Sequence, residues 1–224
     1  MKYLYLLVMK ITLRQLFKLA RNIKGELNEQ TIDPDPIRQF QQWLDDAVTS
    51  KLMLPESMTL ATVTPDGKPS ARMVLLKSVD ERGFIFYTNY NSRKAKELDA
   101  NGWAGLVFHW VELQRQVRIE GSVTKISTDE SDAYFKTRPR DSQVGAHASP
   151  QSDVVTSREV LEENYKRIEE LYRGKPIPRP SHWGGYCVKP TRIEFWKGRL
   201  GRLHDRILYE LQSDGKWTIK RLAP

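Results

Sequence analysis

The sequence predicts a mostly β fold of the α+β class, an antiparallel barrel of about six to eight strands with flanking helices. Short segments with strand-like patterns follow one another across residues 58–126, and tight turn signals such as Pro65-Asp66-Gly67 separate them. Helical patterns interrupt this sheet at a few places only. This order favours an antiparallel barrel over a parallel doubly wound sheet.

The first regular element we expect is a helix over residues 37–50. Asp33-Pro34-Asp35-Pro36 is a turn signal, because each proline disfavours helix in the residue before it. An apolar stripe at helical spacing follows, made of Phe40, Trp43, Leu44 and Ala47. The pattern therefore predicts an amphipathic helix ahead of the sheet.

Strand patterns alternate with three further helical patterns. Residues 58–64 and 71–77 flank the first turn and predict a hairpin. Other strands are expected at 83–88, 103–110, 114–126, 186–188, 192–196, 206–211 and 217–222, the last two forming a hairpin across Ser213-Asp-Gly215. Helices are expected from Ser92, over 129–137 until Pro139 ends it, and over 158–173, with Pro176, Pro178 and Pro180 as a rigid connector.

Composition and net charge indicate the general class of ligand but do not identify the ligand. The 224 residues are 39% hydrophobic and 29% charged, which is ordinary for a soluble globular protein. The net charge of +8 suggests an anionic ligand: nucleic acid, an acidic membrane or a phosphorylated small molecule. The single cysteine, Cys187, excludes an internal disulfide and indicates a reducing, cytoplasmic location. The four histidines are scattered without metal-site spacing, so no metal is expected.

The N-terminal residues briefly resemble the start of a signal peptide, and a targeting function is the alternative interpretation, but the pattern is incomplete. The apolar run Met1–Met9 is too short to span a bilayer, basic residues follow it quickly, and no small-residue cleavage site appears. We expect a loosely attached amphipathic helix there and no membrane association. Residues 1–32 are interpreted as an N-terminal extension that can be mobile, and residues 33–224 as one domain.

Three functional side chains lie at alternate positions near the C-terminus: Arg202, His204 and Arg206. Successive side chains of a strand point to opposite faces, so an extended conformation would place all three on one face. Two cations flanking an imidazole suit an anionic, redox-active or phosphorylated ligand. A solvated basic strand tip is the alternative interpretation.

A second candidate site is the start of the helix after Asn91. Ser92 is a suitable N-cap, and Arg93 and Lys94 follow it. Unpaired backbone N–H groups and the positive helix end would then face the same point as these cations, which predicts a phosphate site. The alternative is an ordinary capped surface helix.

Two weaker signals also suggest anion binding. Tyr134 and Arg138 share a helix face at i, i+4, and Ser142 follows soon after, which suggests a second phosphate grip or plain surface packing. Arg72 and Lys77 fall on opposite faces of their strand, so they would serve different ligands or different ends of one pocket, unless both are strand-edge charges.

Together these segments resemble the pyridoxine (pyridoxamine) 5′-phosphate oxidase family, FMN enzymes with a split-barrel fold. The resemblance covers about Asp33 to Pro224. It depends on the number and order of these motifs: Arg72-Met-Val-Leu-Leu-Lys77, Phe86-Tyr-Thr-Asn89, Ser92-Arg-Lys94, Arg138-Pro-Arg-Asp-Ser-Gln143, Trp183-Gly-Gly185, Ile193-Glu-Phe-Trp196, Arg202-Leu-His-Asp-Arg206 and Arg221-Leu-Ala-Pro224.

The resemblance implies roles for matching positions. The implied FMN site comprises Arg72, Met73, Val74, Leu75, Leu76, Lys77, Tyr87, Thr88, Arg93, Lys94, Gln116, Gln151, Ser152, Trp196 and Arg206. The implied substrate site comprises Lys77, Tyr134, Arg138, Ser142, Arg202, Leu203 and His204, with Arg202 and His204 as catalytic residues beside the substrate ring.

The implied activity is oxidation of pyridoxine 5′-phosphate or pyridoxamine 5′-phosphate by O2 to pyridoxal 5′-phosphate, with release of H2O2. The flavin would carry the redox chemistry, and the protein would position the two rings. The family also implies a homodimer with FMN at the subunit interface and a C-terminal dimerisation segment. One departure is that Leu19-Ala-Arg-Asn22, before Lys24-Gly25, replaces an Arg-rich segment ending in Tyr that can close over the substrate.

Two alternatives are considered. A non-enzymatic split-barrel protein would bind flavin as a carrier or sensor, but it has no obvious need for Arg202, His204 and the Tyr134/Arg138 pair. Nucleic-acid binding would use the positive charge, but the chain lacks an aromatic-basic binding motif or a long cationic run. We therefore expect no nucleic-acid partner.

Overall fold

The computed structural model describes residues 26–224, and five helices and nine strands lie within that range. The expected helix over the first residues and the altered segment Leu19–Asn22 lie outside the described residues. Of the expected extension, residues 26–32 are described, and Leu27 and Ile32 are buried there. None of the helices in the described range is long and apolar enough to cross a membrane.

Helix α1 spans Pro36–Thr49, within one residue of the prediction at each end. Asp35 caps it by accepting the Ile37 N–H, and Pro36 occupies the first turn, where a missing N–H costs nothing. Phe40, Trp43 and Ala47 are buried as the apolar stripe predicts. The expected helix is confirmed, because its bounds and its buried apolar stripe match those predicted from the sequence.

The remaining elements mostly match the predicted order. The strands are β1 (Ser57–Val63), β2 (Pro69–Leu75), β3 (Ser78–Asp80), β4 (Gly83–Asn89), β5 (Trp103–Trp110), β6 (Arg115–Lys125), β7 (Trp183–Lys197), β8 (Asp205–Leu211) and β9 (Trp217–Arg221). The other helices are α2 (Arg93–Asn101), α3 (Thr128–Thr137), α4 (Arg140–Ala148) and α5 (Arg158–Leu171).

The strands form one sheet in the order β2-β1-β5-β6-β7-β4-β3, and β8 pairs with both β7 and β9. The pairs β3–β4, β4–β7, β7–β8 and β8–β9 are antiparallel, so the predicted antiparallel, mostly β fold with flanking helices is confirmed. The chain divides into two compact units. Unit 1 holds residues 26–57, 106–119 and 191–224 of the described chain, and unit 2 holds 58–105 and 120–190.

Strand β3 was not expected, and a helix and a longer strand also differ from the expectation. Helix α4 (Arg140–Ala148) was not expected, because Pro139 was interpreted only as the end of α3, whereas it stands at the N-cap of a new helix. The two short strands expected at 186–188 and 192–196 are one strand of 15 residues. Glycines allow this continuity: a Cβ at Gly83 would lie 2.1 Å from the Val188 carbonyl oxygen, and one at Gly121 equally close to that of Lys189.

The prediction that Arg202, His204 and Arg206 share a strand face is wrong. Leu200–Arg202 form a short 3₁₀ turn in which Gly201 and Arg202 have φ of 66° and 62°, and β8 begins only at Asp205. Because left-handed residues interrupt the extended chain, alternation cannot define the direction of Arg202 or His204. Arg206 alone of the three lies in the strand.

Candidate functional site

Lys94 forms the centre of a polar cluster at the start of α2 in unit 2. Its ammonium donates to Gln151 Oε1 (2.8 Å) and Thr88 Oγ1 (3.1 Å), and Thr88 Oγ1 in turn donates to Gln151 Oε1 at 3.0 Å. These oxygens are neutral, and within residues 26–224 no carboxylate lies in ion-pair range of Lys94. Burial, followed by the charge of Arg72, lowers the pKa of Lys94. The charge of Glu97 only partly offsets these two effects, so the cluster holds a cation without a directly paired carboxylate among the described residues.

Glu97 joins the two arginines of the same region. Its buried carboxylate accepts from Arg72 Nη2 (3.1 Å), Arg93 Nε (2.7 Å) and Thr62 Oγ1 (2.5 Å). Burial alone would raise the pKa of Glu97, but these three hydrogen bonds lower it overall. Glu97 is thus ionised at neutral pH and fixes both guanidinium groups.

Ser92 occupies the N-cap position of α2, as predicted, but its hydroxyl does not cap the helix. It donates instead to the Asn89 carbonyl oxygen at 2.7 Å. A cavity of about 370 Å³ lies beside this helix, lined by Thr64, Pro65, Asn91, Arg93, Lys96, Glu97, Ser152 and Asp153. Cations and a cavity therefore occur together at the helix start, which suits an anionic ligand.

The segment 72–77 is less regular than expected, since β2 ends at Leu75 and Lys77 lies beyond it. Leu76 is buried, Val74 and Leu75 are half-buried, and Met73 and Lys77 are exposed. The Lys77 N–H donates to the Ile85 carbonyl oxygen at 2.8 Å. Alternation along one strand therefore does not set the direction of Lys77.

Two residues of the predicted grip, Arg138 and Ser142, line a second cavity in unit 2, and Tyr134 is not among its lining residues. This cavity of about 220 Å³ is lined by Asn89, Arg138, Ser142, Gly145, Ala146, Ser149, Gln151 and Trp183. Arg138 Nη1 is a buried side-chain nitrogen without a hydrogen-bond partner in the described chain. Burial lowers the pKa of Arg138. An unpaired buried N–H is costly, so this atom suits an anionic acceptor.

Three aromatic rings pack together next to this cavity, and of these three residues Trp183 lines it. The Tyr87 and Tyr134 rings stack with centroids 3.9 Å apart, and the Trp183 ring lies nearly parallel to Tyr87 at 5.3 Å. Burial raises the pKa of Tyr87 to about 12 and also raises the pKa of Tyr134. Both hydroxyls are therefore protonated at neutral pH and can donate hydrogen bonds.

In unit 1, Arg206 is held by other protein groups. Glu194 Oε1 and Oε2 accept from its Nε (2.8 Å) and Nη2 (3.1 Å), and Nη1 donates to the Ala223 carbonyl oxygen at 2.9 Å. The hydrogen bond to Glu194 raises the pKa of Arg206. Its guanidinium fixes the C-terminal residues against β8.

The loop before β8 carries His204. The His204 ring lies 4.7 Å from the Trp196 ring, and its Nδ1 accepts the backbone N–H of Arg199 at 3.1 Å. Arg202 and Leu203 are exposed, Leu203 by 74%, and Gln116 on β6 is half-buried. Within the described residues, the Arg202 side chain has no ion-pair partner.

The structure brings several predicted residues of unit 2 into direct contact and pairs two of unit 1. Lys94, Thr88 and Gln151 form one group, and Tyr87 stacks on Tyr134. Trp196 and His204 are neighbours in unit 1. Residues missed as site candidates are Asn89, Glu97, Ser149 and Trp183. For Trp183, the Trp183-Gly-Gly motif was a sequence signal that could have identified it as a site residue.

Comparisons with known proteins agree along almost the whole chain. Residues 44–172 match the family described as "Pyridoxamine 5'-phosphate oxidase", and residues 183–224 match the "Pyridoxine 5'-phosphate oxidase C-terminal dimerisation region". The pyridoxine/pyridoxamine 5'-phosphate oxidase of Cupriavidus necator is 56% identical over 94% of this chain and 99% of its own. The protein of that name from Cyanothece sp. strain PCC 7425 is 55% identical over 88% and 92%.

Solved structures support the same fold. PhzG from Burkholderia lata 383, in complex with tetrahydrophenazine-1-carboxylic acid, is 32% identical with a TM-score of 0.85, covering 91% of this chain and all of that one. A pyridoxamine 5'-phosphate oxidase-related, FMN binding protein from Nostoc punctiforme shares the fold at 20% identity and a TM-score of 0.69, covering 86% of this chain and all of that one. From the matched regions and from relatives above 50% identity, we conclude that this chain belongs to the pyridoxine/pyridoxamine 5′-phosphate oxidase family.

Proposed function

We propose that this protein oxidises pyridoxine 5′-phosphate or pyridoxamine 5′-phosphate to pyridoxal 5′-phosphate, with FMN as cofactor and O2 as the final acceptor. The observation that carries the proposal is the buried Nη1 of Arg138, a cavity-lining residue, which has no hydrogen-bond partner in the described chain. A phosphate oxygen is the acceptor such a nitrogen suits. The names of the relatives supply the substrate class.

The residues at the start of α2 fit a phosphorylated flavin. Lys94 has only neutral oxygens as hydrogen-bond partners in the described chain, although burial and Arg72 disfavour its charge. A phosphate dianion beside Lys94 and Arg93 would compensate that charge, and α2 directs its positive end to the same region. Thr88, Gln151 and Ser152 would contribute hydrogen bonds. Tyr87, Gln116, Trp196, Arg206 and the segment Arg72–Lys77 complete the proposed FMN set.

The substrate phosphate would be held by Arg138, Tyr134, Ser142 and Lys77. Arg138 supplies charge-assisted hydrogen bonds, and the protonated Tyr134 hydroxyl donates another. Fixing the phosphate orients C4′ for reaction, and such orientation can supply up to about 7–11 kcal/mol of a barrier. The oxidising chemistry would come from bound FMN: acceptance of a hydride from C4′ at N5 and transfer of the electrons to O2, which gives H2O2.

Arg202 and His204 would complete the substrate site. The unpaired Arg202 guanidinium would hold the pyridine ring and its oxygen, and His204 would orient the substrate or move a proton. The match of residues 183–224 to a dimerisation region supports a homodimer, with FMN proposed at the subunit interface. Sedimentation of the purified protein tests the dimer directly.

The colour of the purified protein and its response to substrate test this function. We expect a yellow protein whose flavin bleaches anaerobically on addition of pyridoxine 5′-phosphate and recovers its colour, with formation of H2O2, when O2 is admitted. Pyridoxine without the phosphate is the matched control and should bleach the flavin far more slowly. Bound flavin that never bleaches with either phosphorylated compound would contradict the oxidase and support a carrier or sensor.

A further inference from the structure

We infer that Trp183 is the positioning residue of the phosphate grip: its indole orders Arg138 and Tyr134 and thereby sets the preference for a phosphorylated substrate. This inference rests on the proposed function and deepens it. Trp183 begins β7, pairs with Asn89 of β4 and is only 6% exposed. It lines the 220 Å³ cavity together with Arg138 and Ser142.

The indole makes contact with both predicted phosphate ligands. The Arg138 guanidinium carbon lies 4.5 Å from the Trp183 ring centroid, a cation–π distance, and the Tyr134 ring is parallel to the indole within 7° at 6.2 Å. Phe135 also contacts Trp183 edge-on at 5.2 Å and lies 5.6 Å below the guanidinium. The indole therefore supports the arginine directly, and it supports the tyrosine as part of an aromatic group in which Tyr87 lies 3.9 Å from Tyr134 and 5.3 Å from Trp183.

Arg138 depends on this support because no carboxylate of the described chain holds it. Its pKa is lowered by burial, and its Nη1 has no hydrogen-bond partner. Besides an electrostatic interaction with Tyr134, the ring faces of Trp183 and Phe135 are contacts that orient the guanidinium. Trp is the strongest of the aromatic residues in this interaction, so replacing the indole weakens the orientation even when volume is largely kept.

Trp183 is itself held firmly. Its carbonyl oxygen accepts from Arg179 Nη1 at 2.5 Å, and its N–H donates to the Pro180 carbonyl oxygen at 3.0 Å. The next residue, Gly184, leaves no room for a side chain, since a Cβ there would lie 2.2 Å from the Tyr90 hydroxyl oxygen. The strand start is therefore fixed, and the indole is a rigid support rather than a mobile wall.

The consequence is preorganisation of the grip. An arginine already aimed at the cavity loses little freedom when the phosphate arrives, whereas a loosely held one must be ordered by the substrate. Loss of the indole should therefore raise KM for phosphorylated substrate and leave kcat nearly unchanged. A substrate without the phosphate does not use the grip, so its kcat/KM should change much less.

Trp43 provides a matched control in unit 1. It is also buried, at 5% exposure, and it also carries an arginine over its ring, with the Arg115 guanidinium carbon 4.6 Å from the centroid. The experiment compares Trp183→Phe, Trp183→Leu and Trp43→Phe as FMN-loaded full chains. The measured quantity is the ratio of kcat/KM for pyridoxine 5′-phosphate to that for pyridoxine, with the melting temperature recorded for each variant.

We expect the ratio to fall about fivefold in Trp183→Phe and further in Trp183→Leu, while Trp43→Phe lowers the melting temperature without changing the ratio. An unchanged ratio in a folded Trp183→Phe protein overturns the inference. An equal fall in Trp43→Phe overturns it too, because the effect would then be general destabilisation. If Trp183→Leu does not fold, the ratio measured in Trp183→Phe alone tests the inference.

Equilibrium titration with pyridoxal 5′-phosphate and with inorganic phosphate separates this inference from the proposed function. Both ligands should bind the wild type and bind Trp183→Phe at least threefold more weakly, with Trp43→Phe unaffected. A wild type that binds neither ligand contradicts the proposed substrate class itself. A wild type and a Trp183→Phe variant that bind both equally well contradict only the role of Trp183.

Discussion

Two arginines of the C-terminal region and two cations of unit 2, Lys94 and Arg138, have opposite surroundings. In unit 1, Arg206 pairs with Glu194, and Arg221 pairs with Glu29 and Asp205. In unit 2, Arg138 has an unpaired Nη1, and Lys94 contacts only neutral oxygens among the described residues. A cation paired with carboxylates stabilises the fold, whereas a half-buried cation without such a partner is available to a ligand.

This comparison shows why the net charge of +8 has little meaning by itself. Much of the positive charge is neutralised locally by ion pairs, and exposed pairs contribute little to stability. Lys94 lies in a polar cluster, and Arg138 lines a cavity. The distribution of partners, rather than the number of basic residues, therefore indicates where an anion binds.

Replacing Arg138 should have the largest effect on substrate binding. It tests whether a cation of unit 2 without a carboxylate partner in the described chain is available to a ligand. Charge-assisted hydrogen bonds contribute about 1.5–3 kcal/mol each, so Arg138→Leu should raise KM for pyridoxine 5′-phosphate by roughly 30-fold or more. Steady-state kinetics with kcat and KM resolved gives the answer. Arg140→Leu is the control, because Arg140 donates to the Tyr172 and Lys175 carbonyl oxygens and should leave KM unchanged. An unaltered KM in Arg138→Leu would remove Arg138 from the grip.

Replacing Glu97 tests how much a paired cluster of charges stabilises the fold. Glu97→Gln removes the charge that holds Arg72 and Arg93, and we expect a loss of about 2 kcal/mol in the free energy of unfolding at pH 7. The folded-state pKa of Glu97 is lowered, so its stabilisation is present above the unfolded value of 4.5 and decreases as the pH falls below it. Denaturant titrations at pH 7 and pH 4 should therefore show a smaller difference at pH 4. A difference independent of pH would contradict an ionised Glu97.

Arg202 is an exception in unit 1, since no carboxylate of the described residues pairs with it. We expect Arg202→Leu to lower kcat/KM at least tenfold, about 1.4 kcal/mol of transition-state stabilisation, while FMN remains bound. Arg192→Leu is a suitable control, because Arg192 pairs with Glu210 on β8. Turnover near the wild-type value in Arg202→Leu would remove Arg202 from the catalytic set.

The smallest effect is expected at Glu29, a partly exposed partner of Arg221. The hydrogen bond from Arg221 lowers the pKa of Glu29 to about 2, so its contribution exists above 4.5 and is lost as the pH falls towards 2. Solvent screening reduces that contribution, and Glu29→Gln should cost less than about 1 kcal/mol at neutral pH. Thermal unfolding at low and high salt measures it. A loss of several kcal/mol would show that the C-terminal pairs are more than surface contacts.

Local sequence patterns predicted the fold well where the helix cap, the apolar periodicity and the turn signals all indicated the same element. Strand β5 (Trp103–Trp110) has the predicted bounds, and α1 differs by one residue at each end. Helix α4 was missed because a proline both ends one helix and begins the next. The turn at Gly201 and Arg202 was missed because a left-handed non-glycine residue has no reliable local signal.

The site was less predictable from local patterns because its contacts join distant residues. Lys94 meets Gln151, 57 positions away, and Thr88 meets it across 63 positions. No spacing rule brings these residues together, whereas the family resemblance placed all three in one set. Glu97 was missed because its role appears only when Arg72, 25 positions earlier, is seen beside it.

The hydrogen bond from the Arg199 amide to His204 decides which ring nitrogen bears hydrogen. With Nδ1 as acceptor, a neutral imidazole must carry its proton on Nε2. The free edge of the ring is therefore an N–H donor, suited to an alkoxide, phenolate or carbonyl oxygen. In this tautomer His204 cannot take up a proton at Nε2, and protonation at Nδ1 would require the bond to Arg199 to break.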